Sequence, residues 1–170
     1  MRWPGVSLCG LLWMWLPLSC GRPVKIDKVK ADTKNLTRTL IARIQELQLF
    51  PLNLKISGLE FIPGERAPEG LAAMDQRLQG FQRVLAGLPA GSVPLAQIAN
   101  DMENLRSLLA ALAAHLGCTL PLAATAAAAG PANLADLLAV SPYSAAGLAL
   151  ARLRACLDGI ARRLDGLQSC

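Results

Sequence analysis

The chain has 170 residues, the length of one ordinary domain, and a net charge of +5 at neutral pH. Its Lys and Arg residues are spread along the sequence rather than clustered, which excludes a basic stripe of the kind that binds nucleic acid. Five cysteines are present, and an odd number remains once the leader predicted below is removed, so we expect a disulfide and one spare thiol.

Residues 1–21 have the pattern of a secretory signal peptide. Arg2 supplies a positive charge, an apolar run covers residues 8–18, and small residues precede the predicted cleavage site. This run is shorter than the roughly 20 apolar residues that a transmembrane helix needs, so we expect no insertion into a membrane. The sequence therefore predicts a secreted, extracellular protein whose single domain is residues 22–170.

Four later stretches repeat apolar residues at alternating steps of three and four. This spacing keeps side chains on one face of a helix, so each stretch predicts an amphipathic helix that buries a stripe. No stretch alternates apolar and polar residues over a useful length, which makes the fold class all-α. In chain order the stripes are Ile26, Val29, Thr33, Leu36, Leu40, Ile44, Leu47; Leu71, Met74, Leu78, Phe81, Leu85, Leu88; Leu95, Ile98, Met102, Leu105, Leu109, Leu112, Leu116; and Leu150, Leu153, Leu157, Ile160, Leu164, Leu167.

The connections predict how these helices are ordered. The first, at about residues 48–70, and the third, at about residues 117–140, are long, whereas the second is short. Short loops join antiparallel neighbours, and two long crossovers are typical of the up-up-down-down four-helix bundle of long-chain cytokines. We also predict a short helix at residues 134–140, and Ser141 followed by Pro142 predicts the start of the last long helix.

This topology selects one disulfide. With two crossovers the third and fourth helices run in the same direction, so Cys118, after the third helix, lies near Cys170 at the end of the fourth. Cys156 lies about 21 Å before Cys170 along the helix, beyond the roughly 7 Å between Cα atoms that a disulfide bridges. We therefore predict a Cys118–Cys170 disulfide, with Cys156 free as a small core residue or as a site of intermolecular pairing.

The sequence offers little catalytic chemistry. Its one histidine, His115, has no cluster of cysteines or acids beside it and predicts no metal site. The sequence contains neither a phosphate-binding glycine loop nor a nucleophile elbow. The helical carboxylates Asp101, Glu103, Asp158 and Asp165 are predicted to lie on solvated faces. We therefore expect neither an enzyme nor a bound cofactor.

Several stretches resemble the leptin family of secreted long-chain helical cytokines, and they follow the family's order along the whole chain. The most distinctive are Gly58-Leu59-Glu60-Phe61-Ile62-Pro63-Gly64 in the first connection and Asn100-Asp101-Met102-Glu103-Asn104-Leu105-Arg106-Ser107-Leu108-Leu109 in the third helix. The others are Asp32-Thr33-Lys34-Asn35-Leu36, Met74-Asp75-Gln76 and Ser141-Pro142-Tyr143-Ser144. Cys118 and Cys170 also match the disulfide of the family.

The resemblance implies a hormone that binds the leptin receptor, a class I cytokine receptor, activates JAK–STAT signalling, and regulates energy balance and food intake. It also implies a main, high-affinity receptor surface on the first and third helices, which we call the helical face. The matching positions are Asp32, Asn35, Leu36, Arg38, Thr39, Arg43, Gln97, Asn100, Asn104, Ser107 and Leu108. Ser107 stands where well-known family members carry an acidic residue.

A second surface, which the family uses to recruit another receptor copy, is called here the loop face. The resemblance implies that it consists of Leu59, Glu60, Phe61, Ile62, Tyr143, Ser144 and Ala145. Ala145 stands where the family has a hydroxyl residue, and the Ala-rich third connection departs from the family in composition. Phe61 and Ile62 lie outside the apolar repeats, so they either anchor an interface or cap the bundle core, and the sequence leaves both open.

One motif conflicts with the helical face. Asn35-Leu36-Thr37 is an acceptor for N-glycosylation in a secreted chain. A glycan at this position would obstruct receptor docking. We therefore predict low occupancy of Asn35.

Two other functions are compatible with four amphipathic helices. A secreted lipid carrier would open its apolar stripes onto lipid, although these stripes are narrow and a disulfide between helix ends resists opening. A different long-chain cytokine would share the fold and bind another receptor. We expect the chain itself to be monomeric.

Overall fold

A computed structural model of the chain describes residues 25–47, 58–64, 66, 68–88, 93–120 and 133–168. Within these residues there are five helices and no strands: α1 Ile26–Glu46, α2 Leu71–Gly87, α3 Val93–Leu116, α4 Leu134–Val140 and α5 Pro142–Gly166. The predicted all-α class, the four long helices and the short helix before the last one are confirmed. The predicted signal peptide and most of the first connection lie outside the described residues.

The four long helices share one apolar core. α1 packs against α3 and α5, α2 packs against the same two helices, and the short α4 lies against α2 and α5. Leu40, Phe81, Leu105 and Leu157, one from each long helix, are fully buried. Burying an apolar side chain of this size contributes about 2 kcal/mol relative to leaving it exposed, so the stripes read from the sequence provide the main force that holds the bundle together.

The buried stripe of α1 differs in detail from the predicted one. Thr33 and Thr37 are fully buried, whereas Leu36, a member of the predicted stripe, is only partly buried. Both threonines stay inside because their hydroxyls are satisfied within the helix. Thr33 donates to the carbonyl of Val29 at 2.6 Å and Thr37 donates to that of Thr33 at 2.7 Å. A buried hydroxyl with such a partner avoids most of its desolvation cost.

Lysines on α1 tie its first turns to the last turn of α5. Lys34 forms an ion pair with Asp165, and Nζ of Lys30 donates to the carbonyls of Asp165 and Leu167 at 3.1 Å each. The last carbonyls of a helix lack partners in their own helix, so this lysine satisfies two of them. Hydrogen bonding by Lys34 also lowers the pKa of the Asp165 carboxyl below its ordinary value. The start of α1 therefore lies beside the end of α5.

Two further ion pairs mark which helix ends are neighbours. Near the end of α1, Nε of Arg43 lies 3.2 Å from Oδ2 of Asp101, near the start of α3. Just before α2, Oε1 of Glu69 lies 3.5 Å from Nη2 of Arg163, near the end of α5. The second pair is solvent-exposed and contributes little to stability. It nevertheless shows that the start of α2 lies beside the end of α5.

A buried polar network that the sequence did not indicate joins α2 to α3. Arg106 donates through Nε to Oδ1 of Asp75 at 2.7 Å and through Nη2 to Oδ2 at 3.2 Å. Its Nη1 donates to Oε1 of Gln82 at 2.9 Å. Only 8% of Asp75 is exposed, and both of its carboxylate oxygens accept a hydrogen bond from the Arg106 guanidinium. The network therefore fixes how these two helices pair.

The prediction that Asp101 lies on a solvated face is wrong, since only 6% of the residue is exposed. Asp101 is buried because α1 packs over this edge of α3 and supplies Arg43 as a charge partner. Glu103 and Asp165 are exposed as predicted, and Asp158 is half-buried.

Among the described cysteines, Cys156 is a free thiol that is fully buried. This agrees with its prediction as a small core residue. Burial raises the pKa of the Cys156 thiol to about 11, so the thiol stays protonated at neutral pH. Cys170 lies outside the described residues, and its pairing with Cys118 therefore stays a prediction.

Two glycines let other segments lie close against α2. A Cβ at Gly80 would lie 3.0 Å from Cγ of Pro63, and one at Gly87 would lie 2.7 Å from Cδ1 of Leu138. Glycine inside a helix costs about 1 kcal/mol relative to alanine. Here the missing side chains leave room for the first connection and for α4, which both cover α2 from outside.

Candidate functional site

The α1 part of the helical face lies on the solvent side of the helix. Its exposed members are Asp32, Asn35, Arg38 and Thr39, while Leu36 and Arg43 are half-buried. Side chains three and four positions apart share one face of a helix. The polar residues therefore form a continuous row on the side of α1 that points away from the core.

The α3 part of the helical face has the same construction. Gln97, Asn100, Asn104 and Ser107 are exposed, and Leu108 is half-buried. Their spacing is again three and four, in register with the buried stripe that faces the core. Because α1 and α3 pack directly against each other, the structure brings the two parts into one polar surface.

A buried carboxylate links the two parts of the helical face. Nε2 of Gln97 donates to Oδ1 of Asp101 at 2.8 Å. Nε of Arg43 approaches the other oxygen, Oδ2, to 3.2 Å without the alignment of a hydrogen bond. Both Arg43 and Gln97 are predicted receptor contacts, so part of this surface is held in place by the carboxylate beneath it. Spacing in the sequence could have indicated that Asp101 is buried, because it follows the core residue Ile98 by three positions and therefore lies on the same side of α3.

The residues of the loop face differ in burial, so some belong to the core beneath the surface and others are available for contact with a partner. Leu59 is 5% exposed and Ile62 is 2% exposed, and both belong to the core. Phe61 is half-buried against that core, whereas Glu60 is exposed. Of the two alternatives that the sequence left open, Ile62 follows the one in which the loop caps the bundle.

Local hydrogen bonds hold this loop in shape. Gly58 has a φ of +92°, a conformation that favours glycine, and its N–H donates to Oε1 of Glu60 at 3.0 Å. That bond lowers the pKa of the Glu60 carboxyl. Nη1 of Arg152, on α5, donates to the carbonyl of Ile62 at 2.8 Å. Arg152 was not among the predicted residues, although it is the one that attaches the loop to α5.

The second part of the loop face is the start of α5. Tyr143 is 90% exposed, Ser144 is half-buried and Ala145 is fully buried. Val140, at the end of α4, is 85% exposed and was not predicted as a site residue. Both side chains are large and reach solvent, so they are candidates for contact with a partner protein. Tyr143 and Val140 are therefore the available apolar groups at this end of the bundle.

Among the described residues, no group of three His, Cys, Asp or Glu side chains is placed to hold a metal ion. No single described helix has both the length and the apolar character needed to cross a membrane. Leu134–Val140 and Pro142–Gly166 meet those limits only when taken together, and they are bent by 108° at their junction.

Comparison with known proteins gives consistent matches over nearly the whole chain. A family model described as Leptin matches residues 25–170. The leptin of Mus musculus is 41% identical over 166 residues, which cover 96% of this chain and 97% of that protein. The leptin of Canis lupus familiaris is also 41% identical over 166 residues, with the same coverage. The leptin of Homo sapiens is 38% identical over 173 residues, with both chains fully covered.

Proposed function

The chain belongs to the leptin family, and from that membership we propose that it is a secreted hormone that activates the leptin receptor. Leptins are hormones rather than enzymes. The proposed action is binding to the class I cytokine receptor ectodomain, followed by JAK–STAT signalling that regulates energy balance and food intake. The observation that carries the proposal is the match over residues 25–170, combined with the exposed polar rows of α1 and α3.

For the fold, we propose the up-up-down-down order of the cytokine bundle. Its support is the set of neighbouring helix ends. The start of α1 lies beside the end of α5 and the end of α1 beside the start of α3, as Lys34–Asp165 and Arg43–Asp101 indicate. The start of α2 lies beside the end of α5. Each neighbouring pair is then antiparallel, which makes α1 and α2 parallel to each other.

The proposed disulfide joins Cys118 to Cys170 and closes a loop over the last part of the chain. Cys118 is disulfide-bonded and Cys156 is free. Removal of the proposed signal peptide at residues 1–21 would leave Cys170 as the remaining cysteine. In the chain-entropy model a bridge over about 50 residues stabilises a fold by about 4 kcal/mol.

The two faces divide the proposed activity. The helical face would supply the affinity for the first receptor copy, because more of its predicted contact residues are exposed than in the loop face. The loop face would recruit the second copy through Glu60, Phe61 and Tyr143, while Leu59, Ile62 and Ala145 support these residues from beneath. A large exposed aromatic such as Tyr143 is a common energetic anchor in interfaces.

The test measures binding of the secreted chain to the leptin receptor ectodomain and STAT phosphorylation in cells that carry the receptor. Asn104→Arg should weaken binding by at least about 100-fold, because a charged side chain enters the centre of the helical face. Tyr143→Ala should leave binding unchanged and reduce signalling by at least about tenfold.

The matched control is Ala110→Arg, which places the same side chain at an exposed position on another side of α3. It should bind and signal as the parent chain does. No binding of the parent chain to the ectodomain would contradict the hormone proposal. Equal losses in Asn104→Arg and Ala110→Arg would contradict the proposed position of the helical face.

A further inference from the structure

The acceptor motif Asn35-Leu36-Thr37 lies within α1, and its two essential residues, Asn35 and Thr37, differ in solvent exposure. Asn35 is exposed on the helical face. Thr37 is fully buried, and its hydroxyl donates to the carbonyl of Thr33 at 2.7 Å. The motif is defined by both its Asn and its hydroxyl residue. Once α1 has packed, the hydroxyl half of the motif is therefore inaccessible.

Before α1 packs, the whole motif is open. The helices that cover α1 are α3 and α5, which begin only at Val93 and Pro142. Most of the stability of a helix in a protein comes from packing of its apolar face, which α1 cannot achieve until these helices have been made. The ribosome must add about 100 residues between the end of α1 and the start of α5, which takes about 5 to 20 s. Asn35 and Thr37 are thus accessible together during synthesis and lose that access on folding.

We propose that Asn35 is an N-glycosylation site whose use is limited by the folding of α1, so that the chain is secreted in two forms. The major form is unmodified, and the minor form carries a glycan on the helical face. In the transfer, Nδ2 of Asn35 forms a bond to C1 of an oligosaccharide and releases one proton. The bond from C1 to the pyrophosphate of a lipid-linked donor breaks, so the lipid pyrophosphate is the leaving group.

A glycan on Asn35 is compatible with the fold but not with docking. The exposed side chain of Asn35 points away from the buried row, so the modified chain can pack α1 as the unmodified chain does. Asp32 and Thr39 flank it on the same side of the helix. A bulky, hydrated glycan would therefore stand in the middle of the α1 part of the helical face. This consequence rests on the proposed receptor function.

The first experiment measures occupancy in the full chain secreted from mammalian cells. Peptide:N-glycosidase treatment should shift a minor fraction to lower mass and convert Asn35 to aspartate in that fraction, which peptide mapping detects. Thr37→Val should abolish the shift, because it removes the acceptor hydroxyl and leaves Asn35 in place. Thr37→Ser should retain a modified fraction.

The second variant tests the limit set by folding. Leu40→Ala removes a fully buried side chain of α1 and should raise the modified fraction at least twofold, because α1 packs later and less firmly. Ile44→Val is a milder substitution in the same stripe and gives the same direction if the first variant is not secreted. A single form in the parent chain, modified or not, overturns the proposal. So does a fraction that is the same in the parent and in both core variants.

The third experiment compares receptor binding of the two forms after their separation on a lectin column. The modified form should bind the leptin receptor ectodomain at least tenfold more weakly and recover after glycosidase treatment. The control is Ala135→Thr in the Thr37→Val background, which completes an acceptor motif at the exposed Asn133 before α4, away from the helical face. Its glycosylated form should bind as Thr37→Val alone does.

A modified form that binds as well as the unmodified one overturns the inference. Failure of unmodified Thr37→Val to bind would instead contradict the proposed receptor function, while leaving the occupancy results standing. The two failures are therefore distinguishable.

Discussion

Within the part of the chain that the structure describes, no segment covers the α1–α3 side of the bundle, so we call this side bare, whereas the α2–α5 side is covered. Asn35 and Asn104 reach solvent directly from the surfaces of α1 and α3. On the opposite side, the first connection lies against Gly80 of α2 and α4 lies against Gly87. A bare helical surface is determined by helix periodicity, whereas a covered one is determined by which distant segments pack upon it.

The difference changes how each surface can work. On the bare side, most of the proposed contact residues are exposed, so their side chains are available without any rearrangement. On the covered side, Leu59 and Ile62 are committed to the core, and Arg152 holds the loop through its hydrogen bond to Ile62. A substitution at a buried loop position therefore changes stability as well as any interface.

The largest effect on stability is expected from Ile62→Ala. Truncating a fully buried Ile typically costs 2 to 5 kcal/mol, and we expect a loss of about 3 kcal/mol in the free energy of unfolding, measured by urea denaturation. Asn100→Ala on the bare side is the control and should change it by less than about 0.5 kcal/mol. If Ile62→Ala cost less than about 1 kcal/mol, the covered side would not depend on its loop.

A smaller effect is expected at Cys156, where folding should slow alkylation of the thiol by about 100-fold. The thiol is fully buried and its pKa is raised to about 11, so few thiolates are present at pH 8. Alkylation by iodoacetamide at that pH should be at least about 100-fold slower in the folded chain than in the chain unfolded by urea. Comparable rates in the two states would mean that this side of the core opens readily.

The smallest effect is expected at the exposed pair between Lys34 and Asp165. The pKa of the Asp165 carboxyl in the folded chain lies below its ordinary value of 3.8. The stabilisation from its ion pair with Lys34 is therefore fully present above the pKa that this carboxyl has in the unfolded chain. It is lost as pH falls through the lowered folded value.

The melting temperatures of the parent chain and of Asp165→Asn should therefore differ by a constant amount above about pH 5 and converge as the pH falls through the lowered pKa of Asp165. Added salt should reduce the difference at neutral pH, because the pair is exposed. A difference that grows as the pH falls below 3.8, the ordinary pKa of this carboxyl, would contradict this assignment.

Helix periodicity predicted the bare side well. The stripe from Ile26 to Leu47 matches α1 to within one residue, and the polar rows of α1 and α3 are exposed as expected. The start of α5 was harder to locate, because its first buried residues are Ala145, Gly147 and Ala149. Such small residues leave no strong apolar repeat, and only Ser141-Pro142 marked where the helix begins.

The remaining features depend on contacts between distant parts of the chain. The burial of Asp101 requires Arg43 from α1, and that of Asp75 requires Arg106 from α3. The loop residue Ile62 is held by Arg152, 90 positions later. A sequence pattern records the spacing of residues within a helix, but it does not record which helix packs beside them.

The hydrogen bonds from Lys30 to the carbonyls of Asp165 and Leu167 have a practical consequence for labelling. They bring the beginning of the first helix and the last turn of the last helix to the same end of the bundle. Tyr143 begins the last helix and lies about 33 Å from Asp165 along its axis, at 1.5 Å per residue. A fluorophore or carrier domain attached beside Lys30 or Leu167 would thus lie at the end of the bundle farthest from Tyr143.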